Sequence, residues 1–176
     1  QVGGTLRGCG MTRHRFRGDP DRFAAVAGFV AERFPMARYA ADVAGGQGML
    51  ARLLTKRHGI DCEVVDPRGW TLTGVNARQQ EYSAAMADYY DVVVGLHPDE
   101  ALREVVASAA VRPVVVIPCC NYWSDSERLG RAELLAAIAV HQRSLGGTAE
   151  EVEFAFRGPK NRGLVLTPPE PSDPAG

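Results

Sequence analysis

Short apolar runs, each followed by a segment with helical spacing, constrain this 176-residue chain more than any other feature. Residues 39–44, 91–96 (D-V-V-V-G-L) and 112–118 (R-P-V-V-V-I-P) are such runs, and residues 61–65, closed by Asp66 and Pro67, form a further short strand pattern. Continuous apolarity over about five residues marks a strand buried on both faces, as in a parallel sheet covered by helices on each side. Between the runs, residues 19–34, 46–58, 77–89, 99–110 and 126–145 read as helices; Phe23, Val26, Ala27 and Val30 set the period in the first. Gly59 and the pair Gly146 and Gly147 read as stops. Residues 67–76 read as a loop. After the last helix, residues 150–156 and the apolar stretch beyond Asn161 flank a turn-forming R-G-P-K, the pattern of a hairpin. The expected architecture is α/β: a Rossmann-like three-layer sandwich with a mostly parallel sheet and a C-terminal antiparallel hairpin.

The length suits one domain, expected over residues 19–167, with a flexible N-terminal segment at 1–18 and a proline-rich disordered tail at 168–176. Residues 1–10 read as preceding a native start at Met11. A net charge of −1 does not demand nucleic acid as a partner, although it is compatible with one. No apolar run is long enough to span a bilayer, and the start lacks the apolar core of a signal peptide. The four cysteines, Cys9, Cys62, Cys119 and Cys120, contain no C-x-x-C pair, so no metal site is expected. They suit a reducing compartment, and the expected location is cytoplasmic.

At the first strand-to-helix junction the chain reads D-V-A-G-G-Q-G over residues 42–48. Glycines there let the backbone turn tightly and approach a ligand closely. Asp66 ends the next strand, where an acid can accept both hydroxyls of a ribose. Together they form a nucleoside-binding arrangement. Residues 46–51 also satisfy the dinucleotide fingerprint G-x-G-x-x-A, which keeps an NAD(P)-dependent oxidoreductase in view. Against that reading, the chain has no evident second domain, and its only lysines, Lys56 and Lys160, complete no Tyr-x-x-x-Lys pair. The acid at Asp42, ahead of the glycines, is the better discriminator. Here the sequence resembles the class I S-adenosylmethionine-dependent methyltransferases, whose first motif runs acid-x-Gly-x-Gly-x-Gly. Ala44 replaces the first glycine and Gly45 is extra. The resemblance implies S-adenosylmethionine as cofactor, held by Asp42, Ala44, Gly45, Gly46, Gly48, Asp66, Pro67, Leu96 and His97. Gly46 and Gly48 would line its methionine part, Asp66 its ribose, and Asp42 its ammonium group, directly or through water.

Two further strand ends carry G-L-H-P-D at 95–99 and P-C-C-N-Y-W at 118–123. The pair resembles the methyltransferase-like 25 and Cys-Cys-containing methyltransferase-domain subgroup and, more loosely, the transfer-RNA 2′-O-methyltransferase 13 family. Asp99 departs from the Cys-Gly of those relatives. His97 is the candidate general base, with a structural hydrogen bond as its alternative role. Tyr122 is the second catalytic candidate; with Trp123 it could stack on a flat substrate or anchor the loop. Cys119 and Cys120 read as small packing residues beside the donor rather than nucleophiles. Arg68 and Trp70 are expected to cover the adenine. The basic groups Arg13, His14, Arg15, Arg17 and Arg157, Lys160, Arg162 could grip phosphates or form a solvated surface. The methyl acceptor (RNA, protein or small molecule) and the oligomeric state are not legible. Ala44 and the lack of an Asn-Pro-Pro-Tyr signature keep a non-catalytic pseudo-enzyme open as the alternative.

Overall fold

The computed structural model describes residues 18–171. Seven strands form one sheet: β1 (Tyr39–Val43), β2 (Asp61–Val65), β3 (Asn76–Arg78), β4 (Val92–Leu96), β5 (Val114–Ile117), β6 (Thr148–Glu153) and β7 (Arg162–Thr167). Their order is β3-β2-β1-β4-β5-β7-β6. The first five run parallel; β7 is antiparallel to β5, and β6 to β7. This is the expected Rossmann-like sandwich with its terminal hairpin. The order reverses at β1 and β4, which opens a crevice beyond their carboxyl ends, the usual ligand site of an open α/β sheet.

The apolar runs divide between two cores by strand alternation. Ala40, Val64, Val92, Val94, Val115 and Ile117 face α1 (Asp21–Arg33) and α2 (Met49–His58), through Val26, Val30, Leu50 and Leu54. Ala41, Val43, Val65, Val93, Val114 and Val116 face α3 (Leu102–Ala107) and α4 (Arg131–Ser144), through Leu102, Val105, Val106, Leu135 and Ile138. A run such as V-V-V-G-L therefore has no polar face to show. Burying each Val or Leu side chain is worth about 1.5–3 kcal/mol before chain entropy is counted.

Three expected elements differ. Residues 77–89 do not form one helix. Residues 76–78 pair with β2 as an edge strand, and Arg78 Nε donates to Glu63 Oε1 across it at 2.7 Å. Gln79, Gln80 and Glu81 are exposed, leaving a helix there no apolar stripe. Only a single 3-10 segment, Ala84–Tyr89, forms, buried through Met86 and Ala87. The last helix begins at Arg131 rather than 126. The amide of Gly130 donates to Glu133 Oε2 at 2.7 Å, and Asn121 accepts from the amides of Trp123 and Ser124 to fold the preceding loop. Strand β6 begins at Thr148 and ends at Glu153, earlier than expected. Among the described residues, no helix is long and apolar enough to cross a membrane. The basic group at 13–17, Cys9 and Met11 lie outside the described residues, as do residues 172–176 of the expected tail.

Candidate functional site

Strand β1 leads into residues 44–48, where Ala44, Gly46 and Gly48 all take positive φ, at 55, 58 and 81°. These left-handed turns swing the chain over the sheet edge into α2. At Gly45 the constraint is spatial: an added Cβ would lie 2.4 Å from the Asp42 carboxyl. Glycine is therefore what lets the loop lie directly on Asp42. That side chain is 2% exposed, and its Oδ2 accepts from the amide of Ala51 at 3.3 Å, one of the unpaired donors of the first turn of α2. Burial raises the Asp42 carboxyl to about 7, helped by the neighbouring charge of Asp66 and opposed by the Ala51 amide.

Gly48 closes the loop and caps α2. Its Cβ would meet Val64 and Val75 methyls at 2.9 Å, and it lines neither of the clefts described below. Gly48→Ala should therefore cost about 1–3 kcal/mol from left-handed strain alone. A thermal melt should show its midpoint several degrees lower. An unchanged midpoint would mean that this turn relaxes freely.

Asp66 follows β2 and is also 2% exposed. Oδ2 accepts from the Gly46 amide at 2.9 Å and from Arg68 Nη2 at 2.7 Å; Oδ1 accepts from the Arg68 amide and Nε, both at 2.9 Å. Burial is the largest single influence and pushes this carboxyl up. The bonds from Arg68 and Gly46 together outweigh it, so Asp66 stays below the ordinary carboxylate range. Arg68 also reaches the Ala44 carbonyl at 3.4 Å and stacks over Trp70, 4.7 Å from the ring centre. Its guanidinium thus sits on the acid that the sequence assigns to a ribose.

Two clefts open at the carboxyl ends of the strands. One, of about 490 Å³, is lined by Val65, Asp66, Pro67, Glu81, Tyr82, Glu104 and Tyr122. The other, of about 700 Å³, is lined by Asp42, Gly45, Gly46, Leu96, His97, Cys119, Cys120 and Lys160. Ala44, Arg68 and Asp99 line both and form the ridge between them. Of the residues assigned to the cofactor or to catalysis, all but Gly48 lie on these walls. The two catalytic candidates fall in different clefts, His97 in the larger and Tyr122 in the smaller. Asp91 lies at the opposite end of its strand, accepting from the amides of Arg38 and Tyr39.

His97 has φ 55°, and its amide extends the β4–β5 ladder by donating to Ile117 at 2.9 Å. Its Nε2 donates to the carbonyl of Lys160 in the hairpin loop at 3.2 Å, which fixes the tautomer. Burial lowers its pKa. Tyr122 is exposed and turned to the charge of Asp99, which raises its phenol pKa. Trp123 instead packs on the core and meets His141 edge-on at 5.1 Å, so it anchors the loop.

Sequence reasoning missed Glu81 and Tyr82, which reach the smaller cleft only because 76–82 is strand and coil. It also missed the meeting of Asp99 with the cysteine pair: Cys119 Sγ lies 3.1 Å from Asp99 Oδ1 and 3.6 Å from Cys120 Sγ. No spacing rule links residues on different strand ends.

No protein-family model matches the chain, and no curated protein matches it. Among solved structures, it is similar to the sugar N-methyltransferase KedS8 from Streptoalloteichus sp., with a TM-score of 0.55 and 18% identity over 94% of this chain and 100% of that one. The methyltransferase domain of bacterial CtHen1-C gives a TM-score of 0.58 at 16% identity, covering 85% of this chain and 97% of that one. A variant of MtNAS in complex with S-adenosylmethionine gives 0.51 at 16% identity, over 82% and 60%. At these identities the likeness is one of fold: the Rossmann-like sandwich with its C-terminal hairpin is shared with these proteins.

Proposed function

We propose that the chain is an S-adenosylmethionine-dependent methyltransferase. The observation that carries this reading is the Asp66 carboxylate, buried at the end of β2 and bonded to the Gly46 amide, with the Gly45 α-carbon resting on a second buried acid, Asp42. A nucleoside fits this donor set: Asp66 suits vicinal hydroxyls, and Asp42 suits a cationic amine. Pro67 and Tyr82 offer walls for a base in the smaller cleft. When bound, S-adenosylmethionine supplies an electrophilic methyl group. The chain's own task is to orient donor and acceptor and to hold the acceptor's proton. His97, on the wall of the larger cleft, is the group suited to that proton. The antiparallel β6–β7 hairpin favours this reading over the nicotinamide one, because the dinucleotide-binding sheet of order 3-2-1-4-5-6 lacks such a reversal.

A non-catalytic role has one observation in its favour: Arg68 occupies both Asp66 oxygens that a donor's ribose would need. Turnover separates the two readings. Calorimetry with S-adenosylmethionine, S-adenosylhomocysteine and NAD in parallel is the test. Saturable binding of both sulfur nucleosides and not of NAD is expected; binding of NAD alone overturns the proposal. The acceptor class is open to RNA, protein or a small molecule, and labelled-methyl transfer to panels of each would identify it. On the acceptor found, His97→Asn should leave donor affinity unchanged and slow turnover by about a hundredfold or more, the usual worth of a positioned base. If turnover is normal, His97 only ties β4 to the hairpin loop.

A further inference from the structure

We propose that Cys119, Cys120 and Asp99 form a binding site for a thiophilic divalent cation, zinc above all, on the wall of the larger cleft. This goes beyond the methyltransferase reading and does not depend on it. The three ligand atoms lie within 4.8 Å of one another. The two sulfurs are 3.6 Å apart, and Cys119 Sγ is 3.1 Å from Asp99 Oδ1. In a tetrahedral zinc site with Zn–S near 2.3 Å and Zn–O near 2.0 Å, these edges would be roughly 3.8 and 3.5 Å. Those two edges therefore need to open by only a few tenths of an ångström, and the third, from Cys120 to Asp99, lies within 4.8 Å.

Register explains why residues twenty positions apart meet. Leu96 stands opposite Ile117 in adjacent parallel strands, and His97 adds one more rung. Asp99 is three residues past Leu96; Cys119 and Cys120 are two and three past Ile117. The two strands thus deliver their next residues to one level. Access is open: Asp99 and Cys120 are exposed and Cys119 is half-buried, and all three line the larger cleft. Cys62, in contrast, is sealed in the core. Two thiolates and one carboxylate select zinc-like over magnesium- or calcium-like ions. Three protein ligands leave a fourth position for water or a cleft-bound group, the pattern of catalytic rather than structural zinc. Loading the site transfers the two thiol protons to solvent.

The test is a Co2+ titration of the reduced, chelator-treated full chain, read by absorption. A thiolate-to-cobalt charge-transfer band and intense tetrahedral d–d bands should saturate at one equivalent, and Zn2+ should bleach them. Cys119→Ser and Cys120→Ser should each remove about half of the charge-transfer intensity. Each should also weaken binding more than about tenfold, since even outer-shell changes cost that much. Asp99→Asn should weaken binding while keeping the charge-transfer band. A Cys9→Ser, Cys62→Ala variant, which keeps only the adjacent pair, should behave as the parent. Circular dichroism confirms that each variant is folded. Absence of a charge-transfer band at one equivalent overturns the proposal, as does a band that survives in the Cys119→Ser, Cys120→Ser double variant. Calorimetry with S-adenosylmethionine on the metal-free chain is a separate readout, so either idea can fail alone.

Discussion

Asp66→Ala should bind S-adenosylmethionine about five- to a hundredfold more weakly than the parent, measured by calorimetry. The estimate follows from the loss of charge-assisted hydrogen bonds to the ribose, at about 1–3 kcal/mol in total, with about 1.4 kcal/mol per factor of ten. The structure makes this variant a demanding one. Asp66 is 2% exposed and also accepts from Gly46 and Arg68, so alanine leaves the Gly46 amide without its partner. A melt must accompany the titration. Asp66→Asn separates the two effects, since it retains one acceptor for Gly46 but loses the charge. Arg68→Ala acts in the opposite direction. The guanidinium and the ribose hydroxyls need the same two carboxylate oxygens, so removing the guanidinium should leave donor affinity equal or tighten it several-fold. Arg68 is 42% exposed along its side chain but its partner Asp66 is buried, so Arg68→Ala also needs a melt beside the titration. A folded Asp66→Ala variant with undiminished donor affinity would remove the ribose assignment.

The second large effect concerns Asp42 and pH. Its folded-state carboxyl, raised by burial to about 7, holds a proton more tightly than the unfolded chain does, whose value lies near 3.8. Stability linked to this group is therefore fully present below about pH 4 and declines as pH rises through about 7. The decline is about 4 kcal/mol at most, from roughly three pH units at about 1.4 kcal/mol each. For a chain of this size that is on the order of 10 °C in melting temperature. The groups that bear on Asp42 are Asp66 and Cys62, both on or beside β2, and the Ala51 amide of α2. Asp66, Asp19 and Asp91 have lowered carboxyl values, so their contribution is lost only as pH falls below the ordinary carboxylate range, outside the Asp42 window. Melting temperature should fall between pH 5 and 8 in the parent but not in Asp42→Asn, whose amide oxygen can still accept from Ala51; there the lowered His97 pKa makes it rise slightly as pH approaches about 6.5. On the methyltransferase reading, the donor's ammonium favours the ionised carboxylate. Donor binding should then release a proton and strengthen from pH 6 to 8, detected as a buffer-dependent binding enthalpy. A parent whose melting temperature does not fall over that range would show that Asp42 is solvated in solution.

The sequence by itself determined the layered fold, because strand alternation and helical period are local properties. V-V-V-G-L and V-V-V-I can be satisfied only between two helical layers. Turn chemistry is local too, so the D-V-A-G-G-Q-G loop and the acid closing β2 were legible, and with them the candidate site proposed at the strand ends. Tertiary structure decided what depends on pairing and convergence. Edge strand β3 carries no apolar period and exists only because β2 offers it a ladder, and that pairing displaces the helix expected over 77–89. Arg68 settles on Asp66 because the carboxylate is buried there and needs donors. Asp99 reaches Cys119 because the β4–β5 register brings two loops level. Register is set by how whole strands pack, a sum over many distant contacts that leaves no spacing signal in the residues it brings together.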